Sequence, residues 1–176
     1  MMSRTVFMGG VHGVGKTFFC QKVVAAFDVE HVTASSLISR HTRHKNDKTV
    51  SNVKKNQSIL AEELNQYRPK HPIILLDGHF CLIGSDLSVK EIPLETFESI
   101  SPSAIILLVD DPEMIVERLA VRDAHIHSID LLSKLQSSEK TRASLVSEHL
   151  KIPLTVIETQ SDIEDSIQRI APYLQI

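Results

Sequence analysis

Four of the six glycines in this 176-residue chain fall within seven residues, Gly9-Gly10-Val11-His12-Gly13-Val14-Gly15, and Lys16-Thr17 follow directly. From Gly10 onward the segment matches the phosphate-binding loop pattern G-x-x-x-x-G-K-[ST]. A run of backbone N–H groups with no side chains in the way can wrap a polyphosphate, and the helix that follows adds the positive end of its dipole. The pattern therefore demands a strand before it and a helix after it. Thr5-Val6-Phe7-Met8 is a short apolar run of strand formers, and Phe18, Phe19, Val23, Val24 and Phe27 recur at helical spacing opposite Gln21 and Lys22. The competing reading is a glycine-rich turn that only tightens a strand–helix connection; the Lys-Thr ending and both flanks weigh against it. The loop's chemistry assigns Gly10, Val11, His12, Gly13, Val14, Gly15, Lys16, Thr17 and Phe18 to nucleotide binding. Lys16 is expected on the β- and γ-phosphates and the Thr17 hydroxyl on Mg²⁺.

Apolar runs recur at residues 3–9, 30–34, 72–77, 104–109 and 153–157, separated by helical patterns. Ile73-Ile74-Leu75-Leu76 and Ala104-Ile105-Ile106-Leu107-Leu108-Val109 are continuous rather than alternating, as strands covered on both faces of a parallel sheet are. Alternating units of this kind imply an α/β sandwich in three layers, a five-stranded parallel sheet with helices on both faces and right-handed crossovers. Asp111-Pro112 reads as an N-cap followed by proline at the first helical position. Ser161-x-x-Glu164 reads as a capping box opening the last helix. Residues 80–92 alternate apolar and polar around Gly84-Ser85-Asp86 and suggest a small hairpin.

A net charge of −3 argues against a surface built wholly for nucleic acid. The basic stretch 40–55 (Arg40, Arg43, Lys45, Lys48, Lys54, Lys55 against Asp47) is read as a solvated face. It could also attract an anionic substrate, so nucleic acid stays an unfavoured partner. No apolar stretch approaches the roughly 18 residues of a membrane span, and no signal-peptide core opens the chain, so a cytoplasmic protein is expected without a membrane partner. Cys20 and Cys81 have no CxxC neighbour and are expected to be buried and reduced, not part of a zinc or disulfide framework.

Ile73–Asp77 is a hydrophobic strand ending in an acid, the Walker B arrangement in which the carboxylate holds Mg²⁺ or its water. Asp110 also ends a buried strand, where helix capping with Asp111 competes as its role. Arg118 and Arg122 lie four apart and project from one helix face; the competing reading is a solvated face paired with Glu113, Glu117 and Asp123. Arg142 falls in the next helical pattern. His125-x-His127 makes a poor metal site without a third ligand. His79, two residues past Asp77, is a candidate to contact acceptor or water.

With these residues in this order, the chain resembles the nucleoside monophosphate kinases of the P-loop superfamily, most closely the compact archaeal-type adenylate kinases and adenylate-kinase-like ATP-binding proteins. The resemblance runs from Gly10–Thr17 past Ser35-Ser36-Leu37-Ile38 and Asp77-Gly78-His79 to Asp110-Asp111-Pro112-Glu113, Arg118, Arg122 and Arg142. It implies a P-loop NTPase sandwich over residues 1–176, with an acceptor-side insertion at about 35–68 and a lid at about 119–130. It also implies ATP and Mg²⁺ as cofactors and phosphoryl transfer to a small acceptor, a nucleoside monophosphate by default. Lys16, Asp77, Arg118, Arg122 and Arg142 are then the catalytic set, Thr17 and Asp77 the metal ligands, and Arg40 and His79 the acceptor side. The chain departs from that pattern where His79-Phe80-Cys81-Leu82 replaces an acceptor-gripping arginine, and where His125 and His127 stand in the lid. A P-loop ATPase acting as a switch or binding module for a protein or nucleic acid remains an alternative, as does a 5′-polynucleotide or metabolite kinase. A GTPase is disfavoured for want of an N-K-x-D motif, and an AAA+ motor for want of a C-terminal helical subdomain. The oligomeric state is left open.

Overall fold

Every residue from Ala104 to Val109 is buried, which requires cover on both faces and neighbours on both edges. The computed structural model of the chain supplies them. It describes residues 3–45, 53–123 and 128–175, with backbone alone for 42–45, 53–55 and 122–123. Its strands are β1 (Arg4–Gly9), β2 (Val29–Thr33), β3 (Ile73–Asp77), β4 (Cys81–Ile83), β5 (Val89–Glu91), β6 (Ala104–Val109) and β7 (Leu154–Glu158). The helices are α1 (Lys16–Ala26), α2 (Ala34–Lys45), α3 (Val53–Gln66), α4 (Leu94–Ile100), α5 (Pro112–Asp123), α6 (Ile129–Leu150) and α7 (Ile163–Ile170), followed by a short 3₁₀ turn at Ala171–Tyr173.

The five-stranded sheet runs β2-β3-β1-β6-β7, parallel throughout, with helices on both faces. From β1 the chain runs to the edge strand β2, returns to β3 beside β1, and then crosses to β6 and β7 on the other side. The strand order thus reverses at β1, and the crevice beyond the carboxyl ends of β1, β3 and β6 is where such sheets bind ligands. Register places Met8 opposite Asp77 and Gly9 opposite Leu107, so Gly9, Asp77 and Asp110 all reach that edge. Leu107 and Leu108 are completely buried, and each stabilises the sheet by about 1.5–3 kcal/mol relative to an exposed side chain. Phe7, Phe80 and Phe97 pack as a trio with centroids 5.0–5.3 Å apart, joining β1, the segment after β3, and α4.

The expected hairpin forms as β4 and β5, antiparallel, closed by a turn in which Leu87 takes φ 60°. Asp111 caps α5 as expected, its carboxylate accepting from Glu113 N at 2.9 Å. The last helix departs from expectation. Its cap is Asp162, not Ser161: the Asp162 carboxylate accepts from Glu164 N and Asp165 N at 2.9 and 3.0 Å. A charged acceptor at a helix N-terminus outcompetes a hydroxyl there. The Ser161 N–H is turned back to Glu158 O. In α1 the buried face is Phe19, Cys20 and Val23; Phe18, in the first turn, faces the crevice, and Val24 falls on the exposed side of the helix. Both cysteines are free and buried, as expected. Among the described residues no helix is long and apolar enough to cross a membrane.

Candidate functional site

β1 ends at Gly9, and the chain then turns through Gly10, Gly13 and Gly15 with φ of 143°, 82° and 108°. A Cβ on Gly10 would stand 2.8 Å from the Leu108 carbonyl oxygen, so the loop could not lie against β6 with a larger residue there. Beside Gly15 the space is open. Gly15 is the N-cap of α1, which has no side-chain cap and no acid in its first turn. By contrast, Ser128 caps α6 and Asp162 caps α7. The first turn of α1 therefore presents uncapped N–H groups and a positive dipole end to the crevice, the arrangement that receives phosphate.

Lys16 is buried and rests on the loop, its Nζ donating to Gly10 O at 2.6 Å and lying 3.8 Å from Asp77 Oδ1. Burial lowers the ammonium pKa, with the negative charges of Asp77 and Glu139 opposing that shift. The other Asp77 oxygen, Oδ2, is 3.4 Å from His31 Nε2. Thr17 and Asp77 line one cavity and offer a hydroxyl and a carboxylate, the hard oxygen donors that suit Mg²⁺.

Arg118 crosses to the loop from α5. It pairs with the Asp110 carboxylate and donates to Gly13 O at 3.3 Å and Val14 O at 3.2 Å. The Asp110 carboxylate also accepts from Gln160 Nε2 at 2.9 Å and the Asp111 N–H at 2.8 Å. Burial pushes this carboxyl up, but its hydrogen bonds, those from Arg118 and Gln160 among them, outweigh burial and hold it below the usual carboxylate range. Gln136 of α6 bonds both backbone groups of Asp110, at 3.0 and 2.7 Å. Asp110 is thus the seat of Arg118 as well as a neighbour of the cap.

Two cavities meet at this loop. The larger, about 540 Å³, is walled by loop residues Val11, His12, Gly13, Lys16 and Thr17 and by Asp77, Gly78 and His79. Its far side is apolar (Phe7, Ile38, Leu60, Phe97) with Thr33, Ser35, Asn56, Gln57 and Thr96 among the apolar groups. The smaller, about 280 Å³, lies between Val14, Phe19 and the segment from Ile157 to Ser166. Gly15, Phe18 and Arg118 border both.

Behind the loop sits Glu139 of α6, about 1% exposed. Its Oε1 accepts from Phe80 N at 2.9 Å and Cys81 N at 3.1 Å and lies 3.8 Å from His79 Nδ1. Its Oε2 has no hydrogen-bond partner among the described residues. Burial pushes the Glu139 carboxyl up to about 7. Burial, reinforced by the positive charge of Lys16, pushes His79 down to about 4.

The family model of an AAA domain matches residues 9–136. The chain belongs to that family. Solved structures with this AAA-domain chain's frame include a gluconokinase from Sinorhizobium meliloti 1021, 14% identical, covering 97% of this chain and 91% of its own at a TM-score of 0.58. A sugar kinase from Janibacter sp. is 15% identical, with 98% and 95% covered at a TM-score of 0.61. The shikimate kinase of Bacteroides thetaiotaomicron is 14% identical, with 98% and 99% covered at 0.57. At these identities the likeness is one of fold, that of P-loop kinases. No curated protein matches the sequence significantly. The AAA-domain match stands beside structural neighbours that are named as kinases.

In this AAA-domain chain the fold brings Lys16, Thr17, Asp77, His79 and Arg118 to one cavity. It does not bring Arg142 or Arg40 there. Arg142 donates twice to Ile92 O, at 3.0 and 2.7 Å, and pairs with Glu91 at 3.1 Å, so its guanidinium is held by the hairpin. Arg40 is exposed on α2 and lies over the Tyr67 ring, 5.6 Å from its centre. The Arg122 side chain, His125, His127 and residues 46–52 and 124–127 of the two expected insertions lie outside the described residues. Glu139 and Gln136 are site neighbours that motif reading misses. Their signal is positional: both fall on the buried stripe Leu132, Leu135, Ala143, Val146 of α6, where a polar residue needs a partner.

Proposed function

We propose that this chain is an ATP- and Mg²⁺-dependent kinase that transfers the γ-phosphoryl group to a hydroxyl of a small metabolite. The observation that carries this reading is the pair of cavities meeting at the glycine loop, with Arg118 bordering both. The smaller cavity, with Phe18 and Phe19, suits the nucleotide base, and the larger suits an acceptor. The gluconokinase, sugar kinase and shikimate kinase that share the fold are named for hydroxylated substrates.

The residues divide the work. Loop N–H groups and the start of α1 receive the phosphates, and Lys16 exchanges the Gly10 carbonyl for a phosphate oxygen. Arg118 supplies positive charge where it builds up during transfer, the main requirement of a loose phosphoryl-transfer transition state. Thr17 and Asp77 would hold Mg²⁺, which when bound screens the phosphate charge. His79, neutral at physiological pH, can accept a hydrogen bond from an acceptor hydroxyl. A hydroxyl is favoured over a nucleoside monophosphate because Arg40 lies off the cavity. Neutral hydrogen-bonding groups, Thr33, Ser35, Asn56, Gln57 and Thr96, line it instead. A cytoplasmic setting belongs to the same proposal.

The deciding experiment incubates the protein with ATP, Mg²⁺ and a panel of hydroxy acids, sugars, nucleosides, nucleoside monophosphates and 5′-hydroxyl oligonucleotides, following ADP and phosphorylated product together. Product from a hydroxylated metabolite supports the proposal, and product from a monophosphate alone replaces the acceptor class. ADP release with no phosphorylated product from any member overturns the kinase reading in favour of an ATPase switch.

A further inference from the structure

We propose that Cys20, His31 and Asp77 form a binding site for Zn²⁺, and that its occupancy restrains the kinase. The three residues are far apart in the sequence, on α1, β2 and β3, and no spacing motif links them. The fold brings one ligand atom of each to within 4.8 Å of the others.

Their placement follows from the sheet. Thr33 pairs with Asp77 across β2 and β3, and His31, two residues earlier, points to the same face as Thr33. Cys20 lies one helical turn beyond Lys16, wholly buried where α1 covers the sheet. A tetrahedral zinc site with bonds of about 2.0–2.3 Å has ligand–ligand edges of about 3.5 Å. The His31 Nε2 to Asp77 Oδ2 separation is already 3.4 Å, so only the thiol must close in.

The donor set is one sulfur, one imidazole nitrogen and one carboxylate oxygen. Zn²⁺ accepts that mixture with a fourth position left for water, whereas Mg²⁺ requires oxygen ligands. His31 is partly exposed and gives the ion a way in. On binding, the Cys20 thiol releases its proton to solvent as the Zn–S bond forms, and no electrons change hands. The thiolate and the Asp77 carboxylate together balance the charge of the ion.

Restraint follows from Asp77, whose two oxygens face different partners: Oδ1 lies toward Lys16 and Oδ2 toward His31. A zinc ion on Oδ2 takes negative charge away from the side that serves Mg²⁺. Zinc binding and Mg²⁺–ATP binding therefore weaken each other by the same factor. The binding claim stands on the three side chains alone; only the restraint rests on the kinase reading.

The test uses the full chain with Co²⁺ as a spectroscopic probe and Zn²⁺ as competitor. One equivalent of Co²⁺ should give a near-ultraviolet thiolate-to-cobalt band and the visible bands of a four-coordinate site, both displaced by Zn²⁺. Cys20→Ser should abolish the ultraviolet band and Cys81→Ser should keep it. His31→Gln, at a partly exposed position, should weaken Zn²⁺ binding at least tenfold with the circular dichroism unchanged. No ultraviolet band in the parent chain, its survival in Cys20→Ser, or unaltered affinity in His31→Gln would each overturn the site. In the activity arm, Zn²⁺ should slow ADP release by the parent chain and spare Cys20→Ser and His31→Gln. Zinc bound without slowing would overturn the restraint alone. A chain that turns over nothing yet shows the cobalt spectrum would sink the kinase reading and leave the site standing.

Discussion

Replacing Glu139 by glutamine leaves an amide oxygen to accept from Phe80 N and Cys81 N; it removes the group's ability to ionise and sets an NH₂ at the unpartnered Oε2 position, a change that does not depend on pH. In the folded chain burial raises the Glu139 carboxyl from its ordinary 4.5 to about 7. At about 1.4 kcal/mol per pH unit, that displacement makes about 3 kcal/mol of pH-dependent stability. Between these two values the folded chain holds a proton that the unfolded chain has lost, so this group's contribution falls as pH rises and is gone above pH 7. His79 runs the other way. Pushed down to about 4, it stays unprotonated where the unfolded chain binds a proton, so its contribution rises with pH toward 6.5. The two slopes oppose each other in the parent chain, and only the difference between Glu139→Gln and parent isolates the carboxylate. The chain has no tryptophan, so urea unfolding followed by far-ultraviolet circular dichroism at pH 5, 6, 7 and 8 is the appropriate assay. The variant should gain roughly 2–3 kcal/mol on the parent between pH 5 and pH 8, part of the displacement lying below pH 5. A stability difference independent of pH would refute the assignment of a buried, high-pKa carboxyl at this position.

Three other substitutions test other parts of the site. Lys16→Ala should lower ATP turnover by ~10²–10³-fold while the protein stays folded, measured as ADP release. Gly10→Ala, set against the Leu108 carbonyl at a positive φ, should destabilise the chain by ~1–3 kcal/mol in urea unfolding and weaken nucleotide binding. Arg142→Ala should cost ~1.5–3 kcal/mol of stability through the lost bonds to Ile92 O, yet leave both KM values within about twofold. A collapse of kcat without loss of stability would return Arg142 to the catalytic set.

The sheet was legible because its signals are local. Continuous apolar runs such as Ala104–Val109 can settle only inside a parallel sheet, and the glycines at 10, 13 and 15 mark a loop that other residues could not form. The placing of Lys16 and Thr17 at the crevice followed from the same motif. The partners of long side chains were not legible, because they depend on which element packs where. Arg142 sits at a plausible distance along the chain from Arg118, but α6 runs beneath the β4–β5 hairpin and presents it to Ile92 instead. Arg40 follows the second strand as an acceptor-binding arginine should, yet Tyr67 of the following connection takes its face. Glu139 looks like any acid in a charged helix until the hairpin's Phe80 and Cys81 N–H groups are found pointing at it. Cys20, His31 and Asp77 share no spacing at all and meet only when α1 lies over β2 and β3.

The seating of Arg118 on Asp110 bears on when disorder is lost. A long, half-exposed arginine normally surrenders its rotamer freedom on meeting a ligand, a loss of up to ~2 kcal/mol. Here Asp110, itself fixed by Gln136 and Gln160, takes that freedom at folding and leaves the guanidinium beside the loop before any nucleotide arrives. An arriving phosphate then meets a cation already in place. On the proposed kinase reading, the order of this cation is a property of the folded chain and not of its response to ATP.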